Sequence, residues 1–263
     1  PQRRDQPPAR VTHDEQGMKV LAVDAGNSRI KWGLHDGGAW IAQSWVPTDE
    51  VRRIAEHWKG MAPPDAAIAS NVAGKAIGQA LQRAARPLGV TLEFIASQAH
   101  QCGVRSSYDR PAQLGPDRWA ALIGAWHLCG GPSVVVNAGT TMTVDALSAD
   151  GVFLGGMIVA GVELMRDALA RSTAGLGMEE GSYAYFPVTT ADAITSGAIN
   201  ALAGAVERMA RFMREAGEAA PRVVLSGGAA PVVQRALNGA VEVVDNLVLE
   251  GIVRIAHDSR PTE

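Results

Sequence analysis

The run Asp24-Ala25-Gly26-Asn27-Ser28 puts a carboxylate, a glycine and small polar side chains within five residues. Gly26 has no Cβ to hold a ligand away from the backbone, and Asn27, Ser28 and the turn amides offer donors. Such a concavity suits phosphate oxygens. Asp24 would orient a hydrated Mg2+, an ion that keeps several waters and meets proteins through one or two carboxylates. The same residues also fit an Asx-type turn in which Asp24 bonds local amides. Asn137-Ala138-Gly139-Thr140-Thr141 repeats the pattern in the second half of the chain. Two facing hairpins would grip a polyphosphate from both sides, with Thr140 and Thr141 adding hydroxyl and amide donors. No GxxxxGK[ST] loop is present, and a two-sided clamp does not need one. Ser226-Gly227-Gly228 permits flat approach to a nucleoside, although alone it is also an ordinary strand-to-helix turn. In Gly115-Pro116-Asp117-Arg118 the helix dipole explains a first-turn carboxylate. Asp117 also fits a general base that takes the proton of an attacking alcohol in phosphoryl transfer. Arg118 would keep Asp117 ionised and hold an acidic substrate or developing phosphate charge.

The elements that must position these groups alternate. Lys19–Val23 reads as a buried strand; Ile30, Trp32 and Leu34 alternate as a second; a turn at His35-Asp36-Gly37-Gly38 leads to a third over Trp40–Val46. Thr48 to Gly60 carries an N-cap, first-turn acids and an apolar face at Val51, Ile54, Ala55 and Trp58, which predicts a helix. Strand, helix and strand follow over 66–69, 75–85 and 90–95, so a largely parallel sheet is expected. Residues 98–116 read as irregular and 117–128 as a helix. The opening pattern then returns: strands over 133–136, 142–147 and 152–158, and a helix over 161–171. A long helix over 191–216, strands over 222–225 and 241–244, and helices over 231–237 and 247–256 complete the chain. The echo of Asp24-Ala-Gly in Asn137-Ala-Gly, with the same order of elements, indicates one duplicated lobe.

Composition narrows the function classes. The 263 residues suit two similar lobes, and 47% hydrophobic with 19% charged residues is an ordinary globular balance. A net charge of −3 supplies no global field toward nucleic acid or an anionic membrane. Cys102 and Cys129 have no CxxC spacing, and the six histidines form no metal-binding pair, so neither a disulfide framework nor a zinc site is expected. No apolar run reaches membrane-spanning length. A cytoplasmic setting fits. Residues 1–17 read as a disordered extension, with Met18 as the natural start.

Several motifs together carry a family resemblance. Asp24-x-Gly26-Asn27-Ser28 with Gly33 is followed by Tyr108-x-x-Pro111-x-x-Leu114-Gly115-x-Asp117-Arg118-Trp119. Then come Gly139-Thr140-x-x-Thr143-x-Asp145, Gly155-Gly156-x-Ile158-x-x-Gly161, Thr190-x-x-Ala193-Ile194-x-x-Gly197, Gly227-Gly228 and Leu247-x-Leu249-x-Gly251. In this order, over roughly 19–256, they resemble the type III pantothenate kinases, a family that includes Bvg accessory factor. The resemblance implies an α/β fold of two similar actin/Hsp70/sugar-kinase-like (ribonuclease H-like) lobes around a cleft, divided near 18–116 and 117–263. It implies ATP-dependent phosphorylation of pantothenate to 4′-phosphopantothenate, the first step toward coenzyme A, with Mg2+. On this similarity Asp24, Ala25, Gly26, Asn27, Ser28, Arg29, Ile30 and Lys31, with Gly139, Thr140, Thr141, Gly227 and Gly228, hold ATP. Asp117 is the proton acceptor, with Arg118 beside it. Tyr108, Gly115, Pro116, Asp117, Arg118 and Thr190 meet pantothenate, close to the contact of a homodimer. The family usually has an acid at Asn137 that coordinates K+ or NH4+; a neutral amide there means weaker binding, other oxygens, or no ion. Ala160 replaces a usual proline, and Ser28 a commoner threonine. Two other readings stand beside this one: an accessory protein on the same scaffold, and a kinase of another small alcohol. Neither a basic stripe nor a helix-turn-helix pattern supports DNA reading.

Overall fold

The computed structural model describes residues 17–173 and 179–259. The expected extension at 1–17 falls outside these apart from Gly17. Strands β1 (Lys19–Ala25), β2 (Arg29–Asp36) and β3 (Ala39–Pro47) form an antiparallel meander. Its second turn, Gly37-Gly38, has φ of 57° and 113°, a two-residue hairpin geometry that glycine enters without strain. In place of the helix expected over 48–60 there is a 3-10 segment, Thr48–Arg53, interrupted where Glu50 leaves helical φ/ψ, and then the short α1 (Ile54–His57). Strand β4 (Ala66–Asn71), helix α2 (Lys75–Ala85) and strand β5 (Leu92–Phe94) complete a sheet of order β3-β2-β1-β4-β5, parallel at β1–β4 and β4–β5.

The stretch read as irregular over 98–116 contains a small hairpin, β6 (His100–Gln101) and β7 (Val104–Ser106). Strands of two and three residues carry no readable alternation, and the turn at Cys102 and Gly103 uses positive φ at both. Helix α3 (Pro116–Cys129) follows, then β8 (Ser133–Ala138), β9 (Thr141–Leu147), β10 (Val152–Ala160), α4 (Val162–Ser172), α5 (Thr190–Glu215), β11 (Arg222–Ser226), α6 (Ala230–Gln234), β12 (Val241–Val243) and α7 (Leu247–Asp258). The second sheet has the order β12-β11-β8-β9-β10-β7-β6, so β6 and β7 belong to it although they precede α3. Its run β10-β9-β8-β11-β12 repeats the strand order and pairing directions of the first sheet. The duplicated lobe read from the sequence is therefore a duplicated topology.

Helices α3 and α7 fill the space between the sheets. Val20 and Ala22 of β1, Ile68 of β4, Val135 of β8 and Val224 of β11 point into this layer, against Trp119, Leu122, Ile123 and Ile252. Leu21 and Val23 face the other way, onto Ile54, Trp58 and Leu81. Val134 and Val136 likewise meet Leu202, Val206 and Met209 of α5. Both faces of β1 and β8 are covered, which explains why these strands read as unbroken apolar runs. The close α3–α7 packing depends on glycine: a Cβ at Gly251 would lie 1.8 Å from the Ala120 carbonyl oxygen. Among the described residues, no helix is long and apolar enough to cross a membrane.

Candidate active site

The two glycine hairpins meet. Ser28 Oγ lies 2.6 Å from Thr140 Oγ1, one hydroxyl from each lobe. The first turn is closed by Gly26 N donating to the Arg29 carbonyl at 3.0 Å and is pinned from behind by Thr48, whose hydroxyl donates to the Gly26 carbonyl at 2.8 Å. The second is one residue tighter, with Gly139 N donating to the Thr141 carbonyl. Gly161 at the start of α4 braces it, donating to the Thr140 carbonyl at 2.9 Å in a space where a Cβ would lie 2.4 Å from the Gly139 oxygen. Gly227, at φ 100°, lies on the Ala138 backbone, and Ala229 N donates to the Ala138 carbonyl. The turns at Gly26, Gly139 and Gly227-Gly228 thus border one cleft.

Strand register sets the polar floor. Trp45, Lys31, Asp24 and Ser70 form one row across β3, β2, β1 and β4, on the face that also carries Ala22 and looks toward the second sheet. The second lobe repeats it with Thr143, Asn137 and Ser226 across β9, β8 and β11. Only the first row is charged. Asp24 Oδ1 and Ser70 Oγ are buried without a hydrogen-bond partner. Burial pushes the Asp24 carboxyl up to about 7, the Asp117 carboxylate adds to the rise, and Lys31 opposes it. Asp24 and Asp117 therefore lie near enough for their charges to repel.

Asp117 is the second residue of α3, after Gly115 at the cap and Pro116 in the first turn, and its Oδ1 accepts from Arg118 N at 2.9 Å. Burial raises its pKa, and the Arg118 amide and guanidinium hold the rise down. The Arg118 guanidinium is itself buried. It donates through Nε and Nη2 to Asp145 at 3.2 and 2.5 Å, and through Nη1 to the Tyr108 hydroxyl at 3.4 Å. It is a fixed cation behind Asp117, with Tyr108 and Phe153, whose ring centroids lie 5.2 Å apart at a tilt of 43°, as its wall. Burial first, and then Asp117, push Asp145 up to about 6 against the pull of Arg118. Asp145 is the site residue to which the sequence reading gave no role; the available signal was a lone acid in the apolar strand Met142-Thr-Val-Asp-Ala-Leu. Gly156 opposite it has no room for a side chain: a Cβ would lie 1.9 Å from Asp145 Oδ1.

Lys31 shares the Asp24 row, Ile30 is core, and Asn27 and Ser28 are exposed on the first turn. Thr190 opens α5 and is exposed; it borders an apolar groove of about 450 Å³ with Met165, Leu169 and Ile194, and no hydrogen bond ties it to Arg118 or Asp117 among the described residues. Asn137 is half-buried in its neutral row. Among the described residues, no group of three His, Cys, Asp or Glu side chains is arranged to hold a metal ion. An orphaned carboxylate such as Asp24 fits a hydrated divalent ion, which needs one protein oxygen and keeps its waters.

Comparison with known proteins adds a family. The model of the type III pantothenate kinase family matches residues 20–212. A type III pantothenate kinase of Nitrosospira multiformis is 44% identical, over 92% of this chain and 93% of its own length. That of Aromatoleum aromaticum is 47% identical, over 91% of this chain and 98% of its own. Among solved structures, a Sinorhizobium meliloti protein described as a 2-dehydro-3-deoxygalactonokinase superposes with a TM-score of 0.58 at 17% identity, covering 92% of this chain and all of its own. A Campylobacter jejuni protein described as a Baf family transcriptional activator gives 0.57 at 19% identity, over 90% of this chain and 97% of its own. At these identities the structural likenesses show the shared two-lobed fold.

Proposed function

The chain belongs to the type III pantothenate kinase family, and from that membership we propose that it transfers the γ-phosphoryl group of ATP to the primary hydroxyl of pantothenate. The observation that carries this reading is the meeting of the two hairpins at Ser28 and Thr140, with Asp24 and Asp117 opposed in the cleft they close. In the step itself, the pantothenate hydroxyl oxygen bonds to the γ-phosphorus. The bond from that phosphorus to the β,γ-bridging oxygen breaks, ADP leaves, and the hydroxyl proton passes to Asp117. The turn amides of both hairpins, the Thr140 hydroxyl and Lys31 hold phosphate oxygens, with Gly227 and Gly228 against the nucleoside. Asp24 is the residue that would hold Mg2+ through its waters, and the ion would supply charge neutralisation on the phosphates. Arg118, fixed by Asp145 and Tyr108, keeps a positive charge behind Asp117 and beside the acidic substrate. A buried cation already paired in this way needs no reorganisation as charge develops.

Two finer assignments belong to the same reading. The neutral oxygens of Asn137, Thr143 and Ser226 form the place where a monovalent cation would enter, in the row equivalent to Asp24. The working unit is a homodimer, which supplies Thr190 near the substrate of a neighbouring copy. Support comes from exposed apolar side chains next to α5: Tyr185, Phe186 and Val188 are 82–93% exposed. The test of the main reading is a direct assay with Mg-ATP and labelled pantothenate, with K+ varied. Turnover is expected, and Asp117→Asn is expected to lower kcat about 10²–10⁴-fold while ATP binding is kept, the usual contribution of a general base. A normal rate in that variant removes Asp117 from its role. ATP binding without pantothenate turnover points to another alcohol.

A further inference from the structure

We infer that Arg29 and Trp45 form a latch at the mouth of the nucleotide cleft, in which Trp45 positions the Arg29 guanidinium to engage the phosphates of a bound nucleoside triphosphate. The inference rests on the cleft assigned above and adds a positioning residue that the motifs do not contain.

Three observations carry it. The Arg29 guanidinium carbon lies 4.5 Å from the centroid of the Trp45 ring, within cation–π range. Both side chains belong to the charged floor: Trp45 pairs in register with Lys31, and Arg29, two residues before Lys31, projects from the same face. Arg29 Nη1 also reaches the other lobe, 3.5 Å from the point where a Cβ on Gly228 would stand. Trp45, Arg29 and Gly228 therefore line up across the cleft mouth, beside the hairpin contact at Ser28 and Thr140.

The charge is uncommitted among the described residues. Among the described residues, Arg29 makes no ion pair with a carboxylate. Trp45 sits on an edge strand with 49% of its surface exposed, an open position for an indole that contributes little to the core. A guanidinium lying on an aromatic face keeps its in-plane donors free for a second partner. At a junction of two phosphate-binding turns, that partner is an anion. Gly228 has no side chain to obstruct it. The ring limits the rotamers available to a long flexible arm, so less freedom is lost when the nucleotide binds.

The test separates the ring from the charge. ATP binding is measured by calorimetry without pantothenate, and kcat and both KM values in the complete assay. Trp45→Ala is expected to weaken ATP binding and raise KM for ATP about 2- to 5-fold, the size of an exposed cation–π contact. The kcat and the KM for pantothenate should not change. Trp45→Phe retains a ring face and should restore most of the affinity. Arg29→Gln should weaken ATP binding more than Trp45→Ala does, and adding Trp45→Ala to it should cost nothing further, because the ring acts only through the guanidinium. Trp45 emission, taken as wild type minus Trp45→Phe, should change on adding ATP and lose that response in Arg29→Gln. Unchanged ATP binding in Trp45→Ala, or additive losses in the double variant, overturns the latch. Wild-type turnover with an unaffected Trp45→Ala sinks the latch alone; a wild type that binds ATP but leaves pantothenate untouched sinks the substrate assignment, and the binding arm still decides the latch.

Discussion

Asp24 holds a carboxylate where its charge is disfavoured, enclosed at the end of a central strand and facing Asp117. Its folded pKa of about 7 lies above the ordinary 3.8, so the folded chain binds this proton more tightly than the unfolded chain. Stability attached to the group is therefore present below about pH 4 and is lost as pH rises toward 7. Asp24→Asn removes the penalty. The variant should be more stable than wild type at pH 8, by up to roughly 4 kcal/mol and with a higher unfolding temperature, and the advantage should shrink as pH falls toward 4. It should also lose Mg-dependent turnover. Thermal melts at the two pH values check the sign: equal stability at pH 8 would mean that Asp24 is not strained. A carboxylate kept at such a cost fits the metal-holding role proposed for Asp24. Arg118 and Asp145 show the opposite arrangement, a buried pair in which each charge depends on the other.

At the scale of elements, α3 is the part that unites the fold with the chemistry. Its first turn presents Asp117 to the cleft, and the residues from Arg118 to Ala125 are all buried between the two sheets. The position of Asp117 is therefore set by how deeply α3 is seated, and that depends on α7. Gly251 lets the α7 backbone rest on Ala120, and Gly124 lets α3 approach Leu247. Gly251→Ala would force a Cβ into backbone that cannot rotate away, a clash that typically costs about 1–3 kcal/mol and occasionally more. The expected outcome in a denaturant titration is a lower midpoint with an unchanged slope. Any shift of α3 should also appear as a fall in kcat greater than the change in either KM. A fully stable, fully active Gly251→Ala would show that the two helices slide freely.

For the whole molecule, the decisive geometry is between lobes. The two sheets have the same topology, yet their cleft-facing rows differ: Lys31, Asp24 and Ser70 against Thr143, Asn137 and Ser226. The repeated topology supplies a glycine hairpin from each lobe, and only one of the two rows carries charge. The outer surface exposes three large apolar side chains close together in sequence, Tyr185, Phe186 and Val188, the patch on which the proposed dimer would be tested. Phe186→Asp with Val188→Asp should move the sedimenting species from two copies toward one. KM for pantothenate should rise while ATP binding is kept. A wild type that sediments as a single copy ends the dimer assignment.

The α/β class, the duplicated lobe, the three glycine turns and the candidate base were all legible before folding, because these depend on local rules. Strand periodicity, the freedom of glycine at turns and the capping of α3 all act within a few residues. The sequence did not disclose the hairpin at 100–106, whose strands are too short to carry a pattern, or the break at Glu50. Nor did it assign Asp145, since the partner of a buried acid is fixed by strand register and by a helix 27 positions away in the chain. That Ser28 touches Thr140, that Asp24 opposes Asp117, and that Arg29 lies between Trp45 and Gly228 were decided only when α3 and α7 brought two separate sheets together. Contacts between distant segments follow from packing, which no local stretch of sequence encodes.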